Sequence, residues 1–183
     1  IQLGQLTIGS GANNWDFGKS ILRDDSGNIF LIGETRGSLG EANAGGSDIF
    51  IIKFTASGAM DKRFGGGDGI VQLGAATIGA RGSNFDYATE SLIDSQGNIF
   101  IYGHTDGSLG RYNRGRDVFV AKIDASGKLV SAFGGGDGVV QMGTAGDEQS
   151  GDMIFSLDGN IFITGQTTGD FGAPNMGDND IFI

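Results

Sequence analysis

Short apolar runs, each bounded by polar or glycine-rich residues, recur along the whole chain. The clearest are DIFIIKF at 48–54 and DVFVAKI at 117–123, nearly continuous in Ile, Val and Phe after an opening aspartate. Runs of this length without a 3.6-residue period predict strands buried on both faces, and almost no helix is expected. The stretch around the first run, residues 48–74, returns at 117–143. The offset is 117 − 48 = 69, and 15 of the 27 aligned positions are identical. An internal repeat therefore organises the chain.

A second pattern occurs three times: DSGNIFLIGET at 25–35, DSQGNIFIYGHT at 94–105 and SLDGNIFITGQT at 156–167. Each copy predicts two antiparallel strands around a tight turn, opened by Asp or Ser and closed by Gly-Asn. A polar, glycine-rich loop follows (36–47, 106–116, 168–179), and then an aspartate (Asp48, Asp117, Asp180) opens a third strand. A Ser-Gly turn leads on to FGGGDG and a fourth strand, IVQL or VVQM. Units of four short antiparallel strands repeated in this way predict an all-β chain of β-propeller-type blades, about three of them here. The expected division is a single array over 1–183. Residues 1–9 are the last strand of a preceding or closing blade, 10–79 repeat 1, 80–145 repeat 2 and 146–183 a partial repeat 3. Three blades are too few for a ring, so the chain reads as a fragment of a longer propeller or as one part of a head-to-tail assembly.

Composition sharpens this reading. Of 183 residues, 36 are Gly and one is Pro, which suits many tight turns with positive φ. The net charge of −10 argues against a nucleic-acid partner. An acidic surface rich in Asp, Gly and Asn fits calcium-rich extracellular surroundings as well as it fits simple solubility. The absence of cysteine excludes disulfides and Cys-ligated zinc. No apolar run reaches the ~18 residues of a membrane span, so no membrane insertion is expected.

Candidate chemistry is sparse. No nucleophile elbow, HExxH, phosphate loop or dinucleotide fingerprint is present, so no enzyme is expected. The FGGGDG loops make Asp68 and Asp137 candidate calcium ligands; the alternative is a glycine turn whose Asp bonds nearby backbone N–H groups. Asp16, Asp86, Asp48, Asp117 and Asp180 recur from copy to copy, as scaffold ties would. Positions that differ between copies are better places for specialised function: Glu34, His104 and Gln166 are equivalent, as are Arg36, Asp106 and Thr168. Lining one mouth of a propeller they would form a polar site of mixed charge; otherwise they are exposed loop residues. His104 is the single histidine and has no nucleophile partner visible in sequence. Trp15, Phe17, Phe85 and Tyr87 read as inter-blade packing or as sugar-stacking platforms, and Tyr112, mid-loop, as the exposed aromatic candidate.

The pattern Asp-x-Ser/Asp-Gly-Asn-Ile-Phe-x-x-Gly-x-Thr, a loop, then Gly-x-Asp-x-Phe-x-x-Lys-x-x-x-Ser-Gly, resembles the bacterial seven-bladed β-propeller (SBBP-type) repeat family. Asp25–Thr35 with Gly46–Gly58 carries the resemblance, as does Asp94–Thr105 with Gly115–Gly127, and Thr167–Ile183 carries part of it. Phe64–Gly69 and Phe133–Gly138 are similar to delta-sixty repeats. The resemblance implies a propeller in a large bacterial surface or secreted protein, and implies no particular activity. The third copy departs from the pattern. It has Asp147-Glu148-Gln149 where the others have Trp15-Asp16-Phe17 and Phe85-Asp86-Tyr87, so its first strand is only weakly predicted. The expected function is a non-catalytic extracellular or cell-surface scaffold with a structural, adhesive or self-assembling role. Its partners would be copies of itself or neighbouring repeats of a longer chain. The alternative is a carbohydrate-binding module that uses the long loops to hold a glycan.

Overall fold

In the computed structural model, which describes residues 15–74, 85–109 and 115–183, the repeats fold into three antiparallel sheets. The first comprises β1 (Asp16–Arg23), β2 (Ile29–Thr35), β3 (Asp48–Phe54) and β4 (Ile70–Leu73), hydrogen-bonded in chain order. The second repeats this with β5 (Asp86–Ile93), β6 (Ile99–Thr105), β7 (Asp117–Ile123) and β8 (Val139–Met142). The third has β9 (Glu148–Phe155), β10 (Ile161–Thr167) and β11 (Asp180–Phe182). Among the described residues the chain is all-β and holds no helix. The fourth-strand expectation at residues 1–9 and the loop aromatic Tyr112 lie outside the described residues.

Local chemistry accounts for the elements. At each first turn a side chain takes over the work of the backbone. Asp24 accepts from Asn28 N–H at 2.8 Å, Asp94 from Asn98 N–H at 2.9 Å, and Ser156 Oγ from Asn160 N–H at 3.0 Å. The register of every first strand shifts once, near Gly18, near Ala88 and opposite Ile163–Gly165, so each sheet carries a bulge at the same place. Gly33, Gly103 and Gly165 face a phenylalanine of the third strand. A Cβ would stand 2.5 Å from Phe50 Cζ, 3.1 Å from Phe119 Cζ and 2.8 Å from Phe182 Cε1. The third strand therefore lies close only because the second carries glycine there.

One expectation is corrected. The weakly predicted first strand of the third sheet forms in full: β9 pairs with β10 from Glu148↔Thr167 to Phe155↔Ile161. Its opening carboxylate is Glu148 where the other sheets use Asp16 and Asp86, and the acid was needed more than the flanking aromatics.

The core sits between sheets. Phe30, Ile32, Ile49 and Ile51 of the first sheet pack against Ile99, Ile101, Phe119 and Ala121 of the second. Phe100, Tyr102, Val118 and Val120 of the second then pack against Met153 and Phe182 of the third. Successive side chains of a strand point to opposite faces, so β3 gives Ile49 and Ile51 to one face and Phe50 and Ile52 to the other. This alternation explains the continuous apolar runs, since both faces are covered. The first strands lie side by side, with β5 touching both β1 and β9.

Burial at the joints sets a testable difference. Phe100, 6% exposed between the second and third sheets, has Phe162 as its counterpart on the third, 47% exposed. Phe100→Ala is expected to cost about 3–5 kcal/mol, and Phe162→Ala within about 0.5 kcal/mol, in urea unfolding of dilute protein.

Candidate functional site

The polar residues singled out by the sequence gather mostly at the joints between sheets. The strand-opening carboxylates come first. Thr35 Oγ1 donates to Asp16 Oδ1 at 2.6 Å, Thr105 Oγ1 to Asp86 Oδ1 at 2.6 Å and Thr167 Oγ1 to Glu148 Oε1 at 2.8 Å. Each threonine oxygen in turn accepts a backbone N–H at 2.9 Å, from Gly37, Gly107 and Gly169. The carboxylate thus fixes the start of the long loop through the last residue of the second strand.

A second tie joins the third and fourth strands to the same loop. Gln72 Oε1 accepts Leu39 N–H at 2.7 Å, while its Nε2 donates to Gly37 O at 3.0 Å and to Asp48 Oδ2 at 2.7 Å. Gln141 repeats all three bonds with Leu109, Gly107 and Asp117. Sequence reasoning gave these glutamines and threonines no role. The signal available was their recurrence in VQLG, VQMG and the three Gly-x-Thr strings.

Backbone bonds cross the joints beside these groups. Asp86 N–H donates to Ser47 O at 2.8 Å, and Glu148 N–H to Arg116 O at 2.7 Å. Asp48, Asp86 and Asp117 are buried there, and among the described residues Asp48 Oδ1, Asp86 Oδ2 and Asp117 Oδ1 accept no hydrogen bond. Burial pushes the carboxyls of Asp48 and Asp117 up from their ordinary value; the bonds from Gln72 and Gln141 oppose it, and Glu148 adds to it for Asp117. Asp86 is pushed up to about 7, first by burial and further by Asp48 and Asp106, against the bond from Thr105.

These joints repeat from sheet to sheet, which is the mark of a repeat array. Residues 1–41 match the SBBP beta-propeller repeat. A comparison with curated proteins finds no match. The matched span ends before both FGGGDG segments, and their likeness to delta-sixty repeats lies outside it.

The positions that vary between the repeats also sit at joints. Glu34 is buried, 3.2 Å from Lys19 Nζ, and takes a backbone hydrogen bond from Ala88 of the next sheet. Burial raises its carboxyl, and Lys19 and Ala88 oppose the rise. His104 Nδ1 lies 2.8 Å from Ser150 Oγ of the next sheet, and its ring packs on Tyr87 at 4.9 Å. Ala88 and Ser150 occupy the same register position, opposite Gly103 and Gly165. The variable residue of each second strand therefore meets the same position on the following sheet. For Glu34 and His104 this corrects the alternative of exposed loop residues. Gln166, with no following sheet described, is exposed.

Around them, Arg36 lies over Trp15 at 5.3 Å and over Phe85 at 5.6 Å, so it spans the first joint. Asp106 accepts from Arg116 Nε at 2.9 Å. Thr168 Oγ1 accepts Asp147 N–H at 2.8 Å. Phe85 and Tyr87 are half-buried joint packing, whereas Trp15 and Phe17 stack on each other at 5.6 Å with each about half exposed.

The structure supplies the nucleophile-bearing neighbour that the sequence did not reveal, Ser150 beside His104. Burial, with help from Arg116 and Lys19, pulls the ring down to about 4, which makes it a poor proton acceptor at neutral pH. Ser150 also bonds Thr89, so the group ties β5 and β6 to β9. At the glycine loops, Asp68 Oδ1 accepts Ile70 N–H at 2.9 Å and Asp137 Oδ1 accepts Val139 N–H at 3.0 Å. The adjacent glycines run at positive φ, from 65° at Gly65 to 134° at Gly136. Among the described residues, no three His, Cys, Asp or Glu side chains gather where they could hold a metal. A cleft of about 480 Å³ opens beside Asp117, Gln141, Thr144, Asp170 and Phe171.

Two pH measurements follow from these environments. The Asp86 carboxyl is raised from 3.8 to about 7, so its contribution to stability is present in full below about pH 4 and is lost as pH rises through about 7. Urea midpoints of the wild type should fall across that window relative to those of Asp86→Asn. The His104 imidazole should titrate by NMR near 4 and not near 6.5.

Proposed function

We propose that the chain is a non-catalytic scaffold from an extracellular or cell-surface bacterial protein, with a structural or adhesive role. The observation that carries this is the placement of the varying residues. Glu34, His104 and Arg36 serve the joints, where a catalytic set would converge on one open site. The propeller-repeat match supports a repeat scaffold, and the charge of −10 suits a surface that stays soluble while it presents its loops.

A second reading, carbohydrate binding, draws on the cleft beside Phe171. It sets one aromatic ring among Asp117, Gln141, Thr144 and Asp170, a mixture that suits the apolar face and hydroxyl groups of a sugar. A glycan-array screen of the labelled chain separates the two. The scaffold reading expects no saccharide-selective signal. A selective signal abolished by Phe171→Ala or Tyr112→Ala would replace it with the second.

A further inference from the structure

Two buried carboxylates meet at the first joint, and the strand register brings them there. Ser47 and Phe85 form a parallel bridge, closed by the bond from Asp86 N–H to Ser47 O. The next pair in that register is Asp48 with Asp86. Successive side chains alternate between faces, so these two carboxylates share one face, opposite to Ser47 and Phe85. Each residue is 1% exposed. Each spends one oxygen on the protein: Asp48 Oδ2 on Ala44 N–H and Gln72 Nε2, Asp86 Oδ1 on the Thr105 hydroxyl. The other two, Asp48 Oδ1 and Asp86 Oδ2, accept no hydrogen bond among the described residues.

The basic groups around this joint are committed elsewhere. Lys19 pairs with Glu34, Arg116 with Asp106, and Arg36 lies over the rings of Trp15 and Phe85. Asp48 and Asp106 instead repel the charge of Asp86. Gly74 backs onto the pair. A Cβ there would stand 2.5 Å from Asp48 Cγ and 2.8 Å from its Oδ2, so no side chain can press against that carboxylate.

The second joint holds the same pair as Asp117 and Glu148 and compensates it from within. Thr144 donates to Glu148 through both its N–H and its hydroxyl, and Thr167 adds a third bond. Both Glu148 oxygens are thereby used, and Asp117 Oδ1 alone is left. No such donor reaches Asp86 Oδ2 among the described residues. The first joint therefore leaves two oxygens of like charge uncompensated on one face, and burial makes that costly.

We propose that the first joint binds a calcium ion between Asp48 Oδ1 and Asp86 Oδ2. Carboxylate oxygens are the preferred donors of hard divalent cations, and one such ion balances two carboxylates. Neither oxygen gives up a hydrogen bond to receive it. Magnesium fits less well, because it sheds its water reluctantly and this pair is withdrawn from water. With two side-chain ligands the site is weak, with a dissociation constant of about 10⁻⁴–10⁻³ M, the range of extracellular modules. The ion ties the start of β3 to the start of β5, and so the first sheet to the second. A proton on Asp86 competes with it. Burial lifts that carboxyl to about 7, so calcium binding strengthens as pH rises through that value. The inference stands apart from the scaffold reading, since a glycan-binding module could hold the same ion.

Thermal unfolding of the full chain near pH 8 tests it, in calcium chloride, in chelator, and in sodium chloride of the same ionic strength. Calcium at about ten times its dissociation constant should raise Tm by a few degrees. The shift should shrink near pH 5, where Asp86 keeps its proton. Asp48→Asn and Asp86→Asn should each remove the shift, whereas Asp68→Asn combined with Asp137→Asn should keep it. Circular dichroism checks that each variant is folded. Manganese broadening of wild-type amide resonances needs no variant, and should centre on Asp48 and Asp86. A Tm that calcium leaves unchanged near pH 8 overturns the proposal and leaves a proton to compensate the pair. So does an equal shift in sodium chloride, which is screening alone. A shift that survives both single variants, one that the Asp68 and Asp137 double variant abolishes, or broadening centred on other residues places the ion elsewhere and overturns it too.

Discussion

The second and third sheets each begin on an acidic residue whose backbone N–H crosses to the preceding sheet and whose carboxylate is withdrawn from water. A buried carboxylate is costly unless hydrogen bonds or a proton compensate. At the first joint Asp86 has the Thr105 hydroxyl and a raised pKa, beside Asp48 with its own bonds from Gln72 and from Ala44 N–H at 3.0 Å. The group that anchors strand β5 therefore also fixes the loop after β6 and the approach to β3. The hydrophobic joint could slide along its apolar faces; the backbone bonds from Asp86 N–H to Ser47 O and from Glu148 N–H to Arg116 O fix one register, because any other leaves these buried groups unpaired.

The third sheet shows what the constraint tolerates. Glu148 is longer by one methylene than the aspartates it replaces, and the loop before β9 absorbs the difference. Thr144 N–H reaches Glu148 Oε2 at 2.9 Å and Thr144 Oγ1 reaches Oε1 at 2.6 Å, so both carboxylate oxygens are satisfied. The aromatic neighbours present in the first two sheets are dispensable by comparison. The first strand forms because its acid and its bulge are kept.

This is also where sequence reading stops. The strands, the Gly-Asn turns and the aspartate that opens each third strand were legible, because their causes lie within a few residues: Asp24 to Asn28, Asp68 to Ile70. Thr35 to Asp16 spans 19 positions and Gln72 to Leu39 spans 33. No local pattern encodes such pairs, although the repeat itself did, by returning Thr and Gln in each copy. Glu34 and His104 were legible as positions that vary, yet strand periodicity says which face a residue takes and not what lies opposite. Their partners, Ala88 and Ser150, belong to a different repeat.

Variation at that one position has a physical consequence for the order of sheets. The apolar parts of the two joints are interchangeable in kind, Ile and Phe against Ile, Val and Met, and would discriminate poorly between partners. The polar contact is not interchangeable. A carboxylate with its lysine faces a backbone N–H at Ala88, while a neutral imidazole faces a hydroxyl at Ser150. Exchanging the following sheets would still offer Glu34 a backbone N–H, with the Ser150 hydroxyl beside it, but would leave the half-buried His104 ring facing the Ala88 methyl. An unmatched polar group withdrawn from water costs more than a matched one gains, so the joint at His104 rejects the other's partner at a single residue pair. An array of blades that bury the same kinds of apolar residue gains order from such a contact, and varying the side chain at the His104 joint supplies it without disturbing the carboxylate ties of each blade.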